Sequence, residues 1–461
     1  MGQQIQVQNT YRNIIQLALP ISIAILIPQL NMLTNTVFLG NYKPSHHDFS
    51  TQDLLAASGI AGIYYLTIVM VGYGLVSGML MLMSRRAGEN DAKGLGKIFS
   101  NGIILCLALS AILIALSWLI APWIFRLAIH EKSIQTAAIS FIQIRCWGLP
   151  FIMLCQLSNS FFLATSNSKK IIMGSVVQTV VNIAMDYVCI FGAMGVPEMG
   201  LNGTAFASVI SEMVYFVVVF IIIHRTKNFK PYAIVYFKNI DFSLMKETII
   251  KSSPLIIQYL LSIGAWEVFF IFVEHLGKAE SAVSQILRSV FSIVGVVTWA
   301  LGSTSNSMVS NLIGQGEEQK VIPLIKKIIT ISLSISLILG LPIVLFPTYF
   351  LSLLTNDISL VEMGKVSLRI VVFATWMLSV STICFNGVLG TGNTRINMVF
   401  EFIAIILYIT YISVVVEYLH LPLPYAWCSE FVYWLSLFMM SSLYLYSGRW
   451  KASFQTQMAT K

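Results

Sequence analysis

Long apolar runs separated by short polar stretches recur along the whole chain. Each run is long enough to supply the roughly 20 helical residues that cross the hydrocarbon core of a bilayer. The pattern therefore predicts an all-α membrane protein with twelve transmembrane helices. The predicted helices cover residues 13–38, 54–83, 97–122, 136–164, 170–194, 201–224, 247–275, 281–313, 322–345, 362–389, 395–418 and 424–446.

The longest polar connection divides these runs into six and six. It extends from Arg225 to Lys246, carries five Lys or Arg residues including its ends, and contains Pro231. We therefore predict an N-lobe of helices 1–6 over residues 1–224, a cytoplasmic linker over residues 225–246, and a C-lobe of helices 7–12 with a short cytoplasmic tail over residues 247–461.

The two halves carry the same local signals in the same order, which indicates an internal repeat. Because each half has an even number of spans, both enter the membrane from the same side, and a parallel pseudo-twofold axis relates the two lobes, as in some secondary transporters. The repeated signals are Pro20 with Pro254, Gly88 with Gly316 at an offset of 228, and Leu163–Lys169 with Leu389–Arg395 at an offset of 226.

Composition agrees with this picture, because 57% of the residues are hydrophobic and only 10% are charged, against about 25% charged in soluble domains. The net charge of +8 does not indicate nucleic-acid binding. Of the 28 Lys and Arg residues, twenty fall in the loops that are inside if the N-terminus is cytoplasmic. Cytoplasmic loops of membrane proteins carry such an excess, so both termini are predicted to be cytoplasmic.

Enzyme signatures are absent from the sequence. His130 and Glu131 begin a zinc-protease pattern, but Ile134 stands where the second histidine would be required. No Gly-rich phosphate-binding loop with Lys-Ser/Thr is present, so ATP cannot drive this chain directly unless another subunit supplies it. We expect no catalysis and no cofactor beyond a coupling ion.

Asp186 is the first candidate for a functional site. A carboxylate at the centre of a membrane helix costs about 2.5–3.5 kcal/mol on insertion scales. It forms one polar stripe with Gln178 and Asn182 at the spacing i, i+4, i+8. One interpretation is a site for a proton or a cation, because an apolar setting favours a carboxyl group that can load and release a proton. The alternative is an interhelical hydrogen-bond clamp.

Three further polar residues of the first half are candidates for binding a cation. Asn31 and Asn35 share one face of the first predicted helix, and Thr204 opens the sixth. Their oxygen atoms suit a hard cation such as Na⁺. Asn and Thr also join helices in bilayers, so packing is the alternative.

The second half offers Glu267, which lies 13 residues after Pro254 and is predicted to be buried. We expect Glu274 to form an ion pair with Arg288 of the next helix, in a structural or a coupling role. Three other acidic residues in apolar surroundings rank lower because they show no polar stripe. They are Glu212, Glu401 and Glu430.

Several motifs follow one another in an order typical of a known family. They are Leu17–Pro20, Thr34–Gly40, Arg86–Glu89, Asn182–Asp186, Gly200–Ala205, Val309–Gly316 and Gly387–Arg395. In this order, in its length and in its six-plus-six layout, the chain resembles the multidrug and toxic compound extrusion (MATE) family over essentially its full length.

The resemblance implies a two-lobed transporter that exports organic, often cationic compounds in exchange for H⁺ or Na⁺. It assigns Asn182, Asp186 and Thr204 to a cation site of the N-lobe and Glu267 to the acidic residue of the seventh helix. One departure concerns Asn35, where the family usually has Asp. Coupling can then rest on Asp186 alone, move to Glu267, or be weakened.

We therefore expect an ion-coupled antiporter of the bacterial inner membrane that exports drug-like organic cations by alternating access as a monomer, with no nucleic-acid partner. A flippase for a lipid-linked intermediate is the second interpretation, and it would require a strongly basic cavity. Only Arg145, Arg288 and Arg369 are available inside the predicted bundle. A non-transporting intramembrane enzyme or sensor is the third.

Overall fold

The computed structural model of the protein describes residues 5–42, 50–234, 240–355 and 357–451. Throughout these residues the regular structure is helical. The helices are α1 (Tyr11–Asn41), α2 (Thr51–Gly88), α3 (Ala92–Ala128), α4 (Lys132–Arg145), α5 (Leu149–Ala164), α6 (Lys169–Phe191), α7 (Leu201–Arg225), α8 (Phe242–Leu276), α9 (Lys278–Gly314), α10 (Val321–Leu345), α11 (Pro347–Ser352), α12 (Ile358–Gly390), α13 (Thr394–Ser413), α14 (Leu423–Trp427) and α15 (Ser429–Ser447).

Within the described chain, ten helical segments are long and apolar enough to cross a membrane. Their outer faces carry large apolar side chains, for instance Leu119, Ile338 and Leu443, which are exposed over 76%, 71% and 72% of their surface. Water would disfavour so many exposed large apolar groups, whereas hydrocarbon accommodates them. The multi-pass membrane architecture predicted from the apolar runs is confirmed.

The fourth predicted span is interrupted where the sequence predicts one continuous helix. A 3₁₀ turn over Cys146–Gly148 separates α4 from α5, and Pro150 lies in the first turn of α5. Proline has no backbone N–H and cannot continue the hydrogen-bond ladder of the preceding helix, but it fits well into the first turn of a new one.

The chain divides into two compact units. The first comprises Ile23–Met83 and Asp91–Ser252, and the second comprises Ser84–Asn90, the residues from Ser253 onward and the described residues before Ile23. In the first unit, apolar side chains of α2, α3, α4 and α7 form a core around Ala61, Phe125, Ile142, Leu201 and Ala205. In the second, a core of α8, α9, α12, α13 and α14 surrounds Phe269, Leu287, Val371, Ile412 and Trp427.

Residues with left-handed backbone angles recur at a constant interval along the chain. Each pair of positions lies 226 residues apart and occupies a connection between helices. The pairs are Asn90 (φ 57°) with Gly316 (φ 74°), Ser166 (φ 58°) with Gly392 (φ 95°), and Met194 (φ 58°) with His420 (φ 47°). Left-handed angles are uncommon outside glycine, so three coincidences at one offset support the internal repeat.

The same offset corrects one of the sequence markers. It pairs Gly88 with Gly314, whereas the sequence comparison paired Gly88 with Gly316. Both glycines stand in the second unit at a close approach of two helix ends: a Cβ on Gly88 would meet the carbonyl oxygen of Asn311, and one on Gly314 would meet that of Arg85. Only glycine permits this approach.

Candidate functional site

Asp186 is fully buried on α6 in the first unit, with an exposed fraction of 0%. With the amide of Asn35 oriented so that its nitrogen faces α6, Asn35 donates to Oδ2 of Asp186 and, at 2.9 Å, to the backbone carbonyl of Asn31. This contact brings Asn35 and Asp186 together and joins α1 to α6.

Several buried polar atoms around this contact find no hydrogen-bond partner among the described residues. They are Oδ1 of Asp186, Nδ2 of Asn182, Oγ1 of Thr179 and Oδ1 of Asn31. Leaving a polar group buried and unpaired typically costs about 1–3 kcal/mol. Three of the four atoms are oxygens of the kind that hard cations prefer, and they are candidate ligands.

The polar stripe on α6 differs by one residue from the predicted one. Thr179, Asn182 and Asp186, at the spacing i, i+3, i+7, are all buried, whereas Gln178 is only partly buried. Residues at either spacing lie on one face of a helix. Gln178 and Thr179 are consecutive residues, so their side chains point about 100° apart around the helix axis. Thr179 was not among the predicted residues, although its spacing of i, i+7 to Asp186 indicates the same helix face.

Thr204 lies buried in the first turn of α7. Its hydroxyl donates to the carbonyl oxygen of Leu201 at 2.8 Å. The helix starts here in close contact with α6, because a Cβ on Gly203 would meet the backbone of Cys189 at 2.7 Å. Since its single hydrogen is used within α7, Thr204 keeps its oxygen lone pairs for an acceptor role.

A buried ion pair stands elsewhere in the same unit. Arg145 at the end of α4 binds both carboxylate oxygens of Glu212 on α7, with one of the two contacts at 2.9 Å. The guanidinium also lies over the ring of Tyr65, at 4.0 Å from its centroid. Glu212 therefore has a matched charge and differs from Asp186.

In the second unit, Arg288 pairs with Glu267 at 3.3 Å, and the predicted pair of Arg288 with Glu274 is wrong. Helices α8 and α9 form a hairpin that turns at Gly277. Glu267 lies ten residues before this turn and Arg288 eleven after it, so the two face each other. Glu274 lies only three residues before the turn, about 12 Å along the helices from the level of Arg288, and it is exposed.

The Arg288 guanidinium is also held by aromatic rings. It lies 4.6 Å from the ring centroid of Trp266 and 4.8 Å from that of Phe270. Cations over ring faces are attracted by the ring quadrupole. Glu267 is thus a partly buried carboxylate whose charge is matched by a fixed guanidinium, and within the second unit it is not a free acid.

Glu401 and Glu430 are two buried carboxylates of the second unit that ranked low in the sequence analysis. Among the described residues, their side chains accept hydrogen bonds from uncharged groups only. Glu430 on α15 accepts from the Tyr408 hydroxyl at 3.1 Å and from the Trp434 indole nitrogen at 2.9 Å. Glu401 on α13 accepts from the hydroxyl groups of Ser262 and Tyr433. At the repeat offset of 226, Tyr408 corresponds to Asn182 and Glu430 to Thr204.

The sequence model of the MatE family matches residues 16–188 and 254–414 of this chain. Among curated relatives, a protein of Thermotoga maritima described as "Probable multidrug resistance protein NorM" is 23% identical over 450 residues, which is 97% of this chain and 94% of the relative. A NorM protein of Photorhabdus laumondii with the same description is 25% identical over 317 residues, 67% of this chain and 68% of the relative.

Solved structures share the fold over nearly the whole chain. One, described as the outward-facing conformation of a multidrug resistance MATE family transporter of the MOP superfamily, has a TM-score of 0.86 and 17% identity and covers 98% of each chain. Another is a MOP superfamily transporter from Pyrococcus furiosus, whose description reports reverse polarity of the binding pocket and suggests a different function. It has a TM-score of 0.85 and 17% identity, and the match covers 98% of this chain and 97% of that chain.

Proposed function

Since this chain belongs to the MatE family, we propose that it is an ion-coupled antiporter that exports organic, drug-like and mainly cationic compounds by alternating access. The relatives from Thermotoga and Photorhabdus, both described as multidrug resistance proteins, support the substrate class. The observation that carries the coupling is Asp186, a fully buried carboxylate with one unpartnered oxygen in the described structure.

The proposed architecture adds α1 and α15 to the ten apolar segments, which gives twelve transmembrane helices in two lobes. The lobes correspond to residues 1–224 and 247–461, and the left-handed positions at the offset of 226 support a parallel repeat between them. The distribution of Lys and Arg supports an inner-membrane topology with both termini in the cytoplasm.

The site chemistry supports a monovalent coupling ion, H⁺ or Na⁺. Because Asn35 is neutral, Asp186 supplies the single negative charge of the site, and one positive charge balances it. Oδ1 of Asp186 can take the proton directly, whereas for Na⁺ the oxygens of Asp186, Asn182 and Thr204 would be the ligands. When H⁺ or Na⁺ binds to Asp186, the charge on the carboxylate that accepts the hydrogen bond from Asn35 changes. Because Asn35 lies on α1, ion binding is thereby linked to the position of α1.

The arginines argue against the flippase interpretation. A lipid-linked pyrophosphate requires several uncompensated cations. Arg145 is neutralised by Glu212 and Arg288 by Glu267. The guanidinium of Arg369 is exposed and donates to the carbonyl oxygen of Val344 at 3.3 Å.

The test is transport in proteoliposomes that contain the full-length protein and a fluorescent cationic dye. Wild type is compared with Asp186→Asn under an imposed Na⁺ gradient and, separately, an imposed pH gradient. We expect dye export under at least one gradient and its loss in Asp186→Asn, because the amide carries no charge for the ion to balance. The gradient that drives export identifies the ion.

Asp357→Asn is the matched control. Asp357 accepts from the backbone N–H of Ser359 at 2.9 Å at the start of α12, and Asn caps helices equally well, so this variant should export like wild type. Equal export by Asp186→Asn and Asp357→Asn would contradict the assignment of Asp186. Absence of export by wild type under both gradients would contradict the proposed function itself.

A further inference from the structure

Glu401 occupies an apolar position where three helices of the second unit meet. It lies on α13 with an exposed fraction of 1%. Its neighbourhood is the small core formed by Phe385, Ala404 and Leu437. Two hydroxyl groups reach its Oε1 atom, that of Ser262 on α8 and that of Tyr433 on α15.

Glu401 forms no ion pair with any Lys, Arg or His of the described residues, in contrast to Glu212 and Glu267. An isolated ionised carboxylate is far too costly to bury, and such a group is found neutral or paired with a cation. Two neutral hydroxyl groups do not supply a positive charge. The site therefore needs one positive charge from outside the chain.

The hydroxyl of Ser262 shows which cation fits. It lies within hydrogen-bond distance of two acceptors, the backbone carbonyl of Gln258 at 2.9 Å and Oε1 of Glu401. A serine hydroxyl has one hydrogen and two lone pairs, so it cannot donate to both. When the hydrogen goes to Gln258, as is common for serine within a helix, the contact with Glu401 requires a hydrogen on the carboxyl group.

The two contacts thus describe a site with two hydrogen arrangements. With Glu401 protonated, its O–H donates to Oγ of Ser262, and Ser262 donates to the carbonyl of Gln258. When the proton leaves, the Ser262 hydrogen turns to Oε1 and stabilises the carboxylate together with the Tyr433 hydroxyl. No covalent bond other than the O–H of the carboxyl group forms or breaks.

A metal ion fits less well than a proton. It would require oxygen lone pairs, whereas Oε1 already receives the hydrogen of Tyr433 and faces that of Ser262. A second link between the same two helices, from Nδ2 of Asn397 to Oε1 of Gln258 at 2.9 Å, holds α13 and α8 in register. Both links join residues 139 positions apart, so they fix the separation of Ser262 and Glu401.

We propose that Glu401 is a proton-binding site of the second unit, with Ser262 as the hydroxyl group that changes its hydrogen-bond acceptor as the proton enters or leaves. Glu401 is the eighth of the 20 residues of α13, about two turns from its start, whereas Asp186 is the eighteenth of the 23 residues of α6. In the repeat these two helices correspond. The two acids therefore occupy different positions along corresponding helices.

The other titratable groups on the helices around Glu401 do not replace it. Glu267 on α8 is matched by Arg288. Glu430 also has neutral donors, but these are Tyr408 and Trp434 and not Ser262, so it is a separate group. Besides Glu401, the titratable residues on the packed helices are Lys246, Glu247, Lys251, Tyr259, Glu267, Glu274 and His275 on α8, Glu362, Lys365, Arg369 and Cys384 on α12, Arg395, Tyr408 and Tyr411 on α13, and Glu430, Tyr433, Tyr444 and Tyr446 on α15.

Proton binding at Glu401 is measured without transport, by infrared spectroscopy of the full-length protein in lipid nanodiscs during a pH titration. The C=O stretch of a protonated carboxyl group is the signal. We expect wild type to show a buried carboxyl component that disappears as pH rises and that Glu401→Gln lacks, equivalent to one group per molecule. Ser262→Ala should keep the component but shift its frequency, because one hydrogen bond is lost.

Glu362→Gln is the control, since Glu362 is exposed and pairs with Lys365, and it should leave this component unchanged. Identical spectra of wild type and Glu401→Gln at every pH would overturn the proposal. Loss of the component on adding Na⁺ at constant pH would overturn it too, by identifying a metal site. If Glu401→Gln does not fold, an unchanged frequency in Ser262→Ala decides against the proposal.

A role for this proton in coupling rests on the proposed function, whereas proton binding itself does not. If the dye-export experiment fails and the carboxyl component titrates as expected, the proposed function is wrong and the site stands. If export succeeds and the carboxyl component is absent, the proposed function stands and the proton site at Glu401 is wrong.

Discussion

Asn35 on α1 donates a hydrogen bond from its side-chain amide to the carboxylate of Asp186 on α6. The Asn35 amide is uncharged, so it adds no negative charge beside this carboxylate. Asp186 therefore faces a neutral donor at this contact, and a hydrogen bond joins the two helices.

The strength of this contact is the first prediction. In a double-mutant cycle with Asn35→Ala and Asp186→Ala, we expect a coupling energy of about 1.5–3 kcal/mol, which is typical of hydrogen bonds to charged groups. The measurement is unfolding in mixed detergent micelles. Asn159→Ala serves as control, because Asn159 bonds Tyr215 and shares no partner with Asp186. Its effect should add to that of Asp186→Ala within about 0.5 kcal/mol. Equal coupling in both cycles would contradict the contact.

The ion pair of Arg145 and Glu212 gives the second prediction. Glu212→Gln leaves a buried guanidinium without its counter-charge, and we expect a loss of about 3–5 kcal/mol in the free energy of unfolding. Glu89→Gln breaks the solvent-accessible pair with Arg86, where the two side chains are each about one third exposed, and should cost about 1 kcal/mol or less. Similar losses in both variants would show that the Arg145 site is hydrated.

The N-terminal segment gives the third prediction. Asn311 accepts from the backbone N–H of Val7 at 3.1 Å and donates to the carbonyl of Ile5 at 3.3 Å, within the second unit. Asn311→Leu removes both bonds, each worth about 1 kcal/mol. Hydrogen exchange of the amides at residues 5–9 should therefore rise by roughly tenfold or more, since 1.4 kcal/mol corresponds to tenfold.

Asn311→Asp separates the two bonds. It keeps an acceptor for the Val7 N–H and loses the donor to Ile5, so its exchange rates should fall between those of wild type and Asn311→Leu. Exchange in Asn311→Leu at the wild-type rate would mean that other contacts hold this segment.

The start of α8 gives a prediction of pH dependence. Lys97 donates a hydrogen bond to the carboxylate of Asp241 at 2.6 Å, and this contact lowers the pKa of that carboxyl group. Because the folded pKa lies below that of the unfolded chain, the charged form stabilises the fold above about pH 4, and this contribution is lost as the pH falls through the folded pKa. We expect exchange protection at residues 241–245 to fall on acidification.

Asp241→Asn is the control for this prediction. Asp241 also accepts from the N–H of Leu244 at 3.0 Å, a bond that Asn can make as well. The variant keeps the helix start and has no charge to lose, so protection should vary little with pH. A wild-type response in Asp241→Asn would assign the effect to another group.

The sequence by itself determined the helices, because runs of about 20 apolar residues have one stable form in hydrocarbon, in which every backbone hydrogen bond is made within the helix. It also singled out Asp186, because a carboxylate in an apolar membrane helix is costly and needs a partner or a ligand. The repeat was readable because turn residues such as Gly392 must adopt left-handed angles wherever the same connection recurs.

Only the tertiary structure decided which side chains meet across helices. The hairpin register at Gly277 assigned Arg288 to Glu267 and not to Glu274, and the rotation of α6 placed Thr179 on the buried face. Glu401 shows no stripe in the sequence because its partner Ser262 lies 139 residues away on another helix. Helical periodicity fixes which residues share a face, whereas the depth and rotation at which two helices pack depend on all the side chains between them.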